Sequence, residues 1–185
     1  MDKQTFNFEL LDTDTPEVVI KNSLKQIEEA TRGYVCGRIE KYDGPVRSYI
    51  KKSGIAAMIG SLQTNLETGS IQEDLGEQDK EKHRYEVFLI VKGLEHYRYR
   101  MMFVDYGAVS YPVMIVMNQD LALEYSGKWS DTFQIDSMKK LEEMMNKVIN
   151  SETMLTLIQN LINESLRQEA KEAIVSRSAD VVDEV

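Results

Sequence analysis

Between residues 85 and 117 this chain alternates twice and then stops alternating, a pattern that strongly restricts the folds open to it. Tyr85, Val87, Leu89 and Val91 interleave with Glu86, Phe88 and Ile90. After Gly93-Leu94-Glu95, the residues Tyr97, Tyr99, Met101 and Phe103 interleave with His96, Arg98, Arg100 and Met102. A period of two marks a strand with one buried face, and a three-residue connection containing glycine is a common hairpin. If 89 faces 99, then Tyr85, Val87, Leu89 and Val91 share one apolar face with Phe103, Met101, Tyr99 and Tyr97. A slip of one residue would bring arginines onto that face, so the first register wins. Glu86 then lies diagonal to Arg100 on the other face, within reach of a cross-strand ion pair. Phe88 and Ile90 leave that second face partly apolar, so helices are expected over some of it. Residues 111–117 are continuously apolar and read as a central strand buried on both faces, with Pro112 at its start.

The rest of the chain is punctuated by helix signals. Phe6, Phe8 and Leu10 suit a short strand. Thr15-Pro16-Glu17 is a helix start with Thr15 as the cap, followed by Ile20, Leu24, Ile27 and Thr31 at helical spacing and Gly33 as a stop. Residues 34–42 alternate as a strand, the Asp43-Gly44-Pro45 turn follows, and 46–50 can return as another strand. Ile55, Met58, Ile59, Leu62 and Leu66 mark a helix. Asn118 caps a short helix ending near Gly127, and 132–135 is a short strand. Asp136 or Ser137 caps a helix carrying Met138, Leu141, Met145, Val148 and Ile149. Ser151 caps a final helix with Leu155, Ile158, Ile162 and Leu166 on its apolar side. Met144 and Met145 cannot both centre on one helix face, which leaves one of them as an exposed, adaptable contact. The expected architecture is a single α+β domain over 1–185. Its antiparallel sheet centres on a three-stranded meander at about 85–117, flanked by about four helices. A mobile acidic loop at about 67–80 and a frayed tail at about 174–185 complete it.

Few chemistries find their residues here. No phosphate-binding glycine loop, dinucleotide fingerprint, paired-histidine zinc motif or nucleophile elbow is present, so no catalytic residue, metal or cofactor is assigned. Cys36 is the only cysteine, which excludes an internal disulfide, and it reads as a small packing residue. His83 and His96 can approach across the hairpin ends, although ordinary surface histidines are the simpler reading. The N-terminus has no charged segment followed by an apolar one, and no apolar run is long enough to span a membrane. These point to a cytoplasmic protein without a membrane partner.

Charge supplies the binding candidates. The chain has 22 Lys and Arg against 31 Asp and Glu, a net charge of −9. Such a chain repels nucleic-acid phosphates on average and attracts basic surfaces. The acids Glu67, Glu73, Asp74, Glu77 and Asp79 lie in the expected loop and are the partner-binding candidates. Against them stands a basic hairpin of Lys82, Arg84, His96, Arg98 and Arg100, able in principle to contact DNA or RNA. Tyr97 and Tyr99 point away from Arg98 and Arg100, so they form no shared stacking surface, and a solvated strand face balanced by nearby acids is the favoured reading.

Ala30-Thr31-Arg32-Gly33-Tyr34, the turn Lys41-Tyr42-Asp43-Gly44-Pro45 with Ser48-Tyr49, and the Asp105-Tyr106-Gly107 and Tyr111-Pro112-Val113 groups within 99–117 resemble small prophage proteins of gut Firmicutes. Some of these are anti-CRISPR inhibitors of type II RNA-guided nucleases. The resemblance covers about 15–165 and involves no motif of known mechanism. It implies a non-enzymatic phage-type inhibitor in the host bacterial cell. Its partner would be the CRISPR effector nuclease or its guide RNA complex, with DNA recognition or cleavage blocked. The alternative is a phage nucleic-acid-binding accessory protein using the basic hairpin. Oligomeric state is not legible.

Overall fold

The computed structural model describes residues 11–46 and 82–180. The strand expected at 6–10, all but the first residue of the one at 46–50, the helix around 55–66 and the acidic loop lie outside them. The described chain runs α1 (Pro16–Ala30), β1 (Val35–Lys41), β2 (His83–Val91), β3 (Tyr99–Tyr106), β4 (Val113–Met117), α2 (Gln119–Ser126), β5 (Thr132–Ile135), α3 (Met138–Ile149) and α4 (Glu152–Asp180). The fold is α+β, with five antiparallel strands in sequential order and the meander at its centre.

All four described helices pack on the face that carries Val87 and Leu89. Ile20, Leu24 and Ile27 of α1, Leu121 of α2, Leu141 and Met145 of α3 and Met154 of α4 join Val35, Met102, Val104 and Ile115 in one core. Gly37 of β1 lets α1 come close: a Cβ there would meet the Leu24 side chain at 2.6 Å. The Thr31 hydroxyl ties the end of α1 to β1, donating to the Ile27 carbonyl at 2.8 Å and accepting from the Val35 N–H at 3.2 Å.

The helix ends follow the capping signals, with additions from far along the chain. Asn118 and Ser137 cap α2 and α3 as expected, and Gly127 ends α2 in the left-handed conformation. Asp12 adds a second acceptor at α3, taking the Met138 N–H at 2.7 Å. Ser151 accepts from Met154 at the start of α4, and the Glu124 carboxylate of α2 takes the N–H groups of Glu152 at 2.7 Å and Thr153 at 2.9 Å. Thr15 holds the cap position of α1 but makes no side-chain cap.

Several expectations need correction. Leu89 does face Tyr99, but Val87 faces Met102 and Glu86 faces Phe103, leaving Met101 as the extra residue of a β-bulge. Beyond it Met102, Val104 and Tyr106 turn to the core, whereas Phe103 turns to the outer face. The connection between β2 and β3 occupies 92–98 rather than three residues. β4 is not buried on both faces, since Met114 is 40% exposed. Met144 and Met145 are both fully buried, because α3 is packed by α1 on one side and by α2 and α4 on others. On α4 the deep positions are Met154, Leu161 and Ser165; Leu155 and Leu166, expected inside, are 55% and 45% exposed.

Candidate functional site

The outer sheet face gathers most of the hairpin cations. By alternation β1 contributes Arg38 and Glu40, with Tyr42 just beyond; β2 contributes Arg84, Glu86 and Phe88; β3 contributes Arg100, Phe103 and Asp105. Arg98 enters from the loop before β3. Arg84 donates through Nε at 3.0 Å and Nη2 at 2.8 Å to the same oxygen of Asp105, Oδ2, which Lys82 Nζ approaches at 3.8 Å. Arg84 also donates to the Gly44 carbonyl at 3.3 Å. Arg100 pairs with Glu86, as the sequence predicted, and Arg98 approaches Glu40 at 3.7 Å.

Two of these guanidinium groups also cover rings. Arg98 lies 4.6 Å from the centroid of Phe88, and Arg100 lies 4.7 Å from that of Phe103. Phe88 is 1% exposed and Phe103 is 3% exposed, although neither belongs to the main core. Tyr42 packs on Phe103 with centroids 4.8 Å apart. Helices were expected over Phe88 and Ile90; among the described residues arginine stems and guanidinium planes take that role over the phenylalanines.

The structure separates the other candidates. His96 sits in the 92–98 loop and His83 at the start of β2, at opposite ends of the hairpin, so the two imidazoles do not meet. His83 instead stacks on Tyr106 at 4.9 Å. Glu67, Glu73, Asp74, Glu77 and Asp79 lie outside the described residues. Cys36 has its thiol pushed up by burial and then by Glu28, which keeps it protonated. Among the described residues no three His, Cys, Asp or Glu side chains are grouped to hold a metal ion, and no helix is long and apolar enough to cross a membrane.

No family model, curated protein or solved structure matches this chain.

A cleft of about 510 Å³ opens at the end of the sheet where β1 finishes and β2 begins. Lys41, Lys82, His83 and Arg84 line it with Tyr42, Asp43 and Tyr85. Behind it the Tyr85 hydroxyl donates to Glu17 of α1 at 2.5 Å, and burial together with that carboxylate pushes the phenol pKa up. Tyr111, at the same end, is pushed up to about 12, mainly by burial. Both phenols stay neutral donors, so the positive character comes from the cations alone.

Sequence reasoning missed Lys41 and Arg38 as members of these surfaces. The alternation of β1 was visible, but not its place beside β2. It also passed over Trp129, the only tryptophan, which is 70% exposed between α2 and β5. Gly127-Lys128-Trp129-Ser130 has turn composition, which was the available sign of exposure.

Proposed function

We propose that this chain is a non-enzymatic binding protein of the phage-inhibitor type, whose partner is a type II RNA-guided DNA nuclease. It would act in the cytoplasm of the host bacterial cell and block DNA recognition or cleavage. The observation that carries this reading is the pairing of the hairpin cations. Lys82, Arg84, Arg98 and Arg100 each lie within 4 Å of a carboxylate of the same chain. The hairpin is therefore close to self-neutral, and the net charge of −9 favours a basic partner. Nucleases of this type hold nucleic acid in positively charged channels. Glu67, Glu73, Asp74, Glu77 and Asp79 are the proposed contacts to such a channel.

The test is target cleavage by purified type II nucleases with and without the protein. Inhibition that disappears when those five acids are neutralised together supports the proposal. Undiminished cleavage by several nucleases removes it.

One observation favours the second reading, a nucleic-acid-binding accessory protein. The cleft brings Lys41, Lys82 and Arg84 together against the single carboxylate of Asp43 in its lining, and Lys82 and Arg84 share one further carboxylate, Asp105. A gel shift with DNA or RNA alone, weakened by salt and by Lys41→Ala with Lys82→Ala, would favour it. Absence of any shift at low salt would end it.

A further inference from the structure

We infer that the cleft at the end of β1 and β2 binds a nucleoside monophosphate, either free or as the phosphorylated end of a strand. The inference rests on the nucleic-acid reading of this cleft and narrows it to one phosphomonoester carrying one base. The cations there divide by what they already hold. Arg84 is committed: Nε and Nη2 donate to Asp105, and Nη1 donates to the Gly44 carbonyl. It balances Asp105 and fixes one wall of the cleft. Lys82 Nζ stands 3.8 Å from Asp105, too far for a hydrogen bond, and its side chain is 51% exposed. Lys41 forms no ion pair among the described residues. Two ammonium groups are thus open to a ligand, against the one lining carboxylate of Asp43. His83 adds a ring N–H, since its imidazole is held by stacking on Tyr106 at 4.9 Å. A phosphomonoester carries about −1.5 to −2 at pH 7 with three acceptor oxygens, so it matches two ammonium groups and a ring donor better than the single charge of a diester linkage does.

Shape selects the rest of the ligand. Tyr42, His83 and Tyr85 give the cleft ring-bearing walls, and each ring is steadied by another. Tyr42 packs on Phe103 at 4.8 Å, while His83 and Tyr85 stack on Tyr106 at 4.9 Å and 6.0 Å. Every base has a flat face, so such rings accept one whatever its identity. The loop wall is held in place before any ligand arrives. Its Gly44 carbonyl is bound by Arg84, and the Tyr42 hydroxyl donates to the Pro45 carbonyl at 3.3 Å. The Glu17 carboxylate behind the cleft is already taken up by the Tyr85 hydroxyl. At about 510 Å³ the cleft falls within the range of small-molecule sites and admits a whole nucleotide, whereas inorganic phosphate would leave most of it empty.

Titration calorimetry on the full chain is the test. Adenosine 5′-monophosphate should bind at least about tenfold more tightly than adenosine or inorganic phosphate. Short single-stranded DNA with a 5′-phosphate should likewise bind more tightly than the same DNA with a 5′-hydroxyl. Lys41→Met and Lys82→Met, both at exposed positions, should each weaken the mononucleotide about fivefold or more, with the unfolding midpoint nearly unchanged. Lys128→Met removes an exposed charge at the opposite end of the sheet and should leave the affinity unchanged. Equal affinity for adenosine or for inorganic phosphate overturns the inference, as does a loss in Lys128→Met as large as in the cleft variants. DNA bound equally well with a 5′-hydroxyl end overturns it and leaves the nucleic-acid reading standing, whereas failure of nucleotide and DNA alike to bind ends both. Tight mononucleotide binding without DNA binding supports it, with the free nucleotide as the source.

Discussion

Gly37→Ala isolates the closest approach of helix to sheet. The new Cβ would lie 2.6 Å from Leu24 Cδ2, 2.7 Å from its Cβ and 2.9 Å from its Cγ. Carbon atoms in contact prefer about 3.5–4.0 Å, so each overlap is roughly 0.6 Å or more. A rotamer change can move Cδ2 and Cγ, but Cβ moves only with the backbone of α1. Leu24 is 2% exposed, with little space to retreat into. Overpacking of this kind costs about 1–3 kcal/mol. Removing glycine's conformational freedom from the unfolded chain offsets about 0.4–1 kcal/mol of that. The net expectation is a loss of about 1–2 kcal/mol. For a chain of this length that lowers the thermal midpoint by roughly 2–8 °C. Urea unfolding followed by far-UV circular dichroism measures it. Leu24→Ala in the same chain should relieve only part of the clash, because the 2.7 Å contact to Cβ persists. The double mutant should therefore be less destabilised than the sum of the two singles, but still less stable than Leu24→Ala alone. An unchanged or raised midpoint for Gly37→Ala would refute the reasoning.

Glu124→Gln should cost about 1 kcal/mol, since it weakens the charged cap on α4. Hydrogen bonds from Thr153 and Glu152 hold the Glu124 carboxyl below its ordinary pKa. Its contribution is thus complete above about pH 4.3 and is lost as pH falls through the lowered folded value, so the variant should show a flatter acid limb in unfolding experiments. Arg98→Ala with Arg100→Ala uncovers Phe88 and Phe103, and should lower stability by about 1 kcal/mol per ring and raise hydrophobic-dye binding. Unchanged dye fluorescence would contradict the covering role. Ser165→Ala removes the 2.6 Å hydrogen bond by which α4 holds the Lys92 carbonyl. It should cost about 1 kcal/mol by urea midpoint and increase amide exchange in the 92–98 loop.

Legibility followed how many solutions each stretch allowed. The segment from Asn118 to Ile135 was read almost to the residue, because Asn118 and Gly127 are incompatible with continuing the elements they end. The bulge was not legible. Met101, Met102, Phe103 and Val104 are all apolar, so either parity can face the core, and the alternation alone does not show where the register shifts. The rotation of α4 was hidden for a similar reason. Met154, Leu157 and Leu161 form one stripe, while Leu155, Ile158 and Ile162 form another beside it. The first stripe is buried deepest, in line with Ser165, whose hydroxyl meets the Lys92 carbonyl. Met144 and Met145 are both buried because α3 is packed on more than one side, which a single helical periodicity does not reveal. The charge balance of the basic hairpin was readable in part: alternation placed Glu86 within reach of Arg100, but only the fold brings Glu40 to Arg98 and Asp105 to Arg84.

The distribution of charge predicts how salt acts on this chain. Binding to a basic partner draws on the net acidity and is screened as ionic strength rises, with a Debye length of about 10 Å at 0.1 M and about 3 Å at 1 M. The pairs on the outer face are local and short, such as Arg84 with Asp105 at 2.8 Å, and should respond less. Raising salt should therefore weaken nuclease binding, measured by titration calorimetry at several salt concentrations. Affinity that does not fall as screening increases would mean that the partner does not read the net charge of −9, since a long-range attraction between opposite charges cannot escape screening.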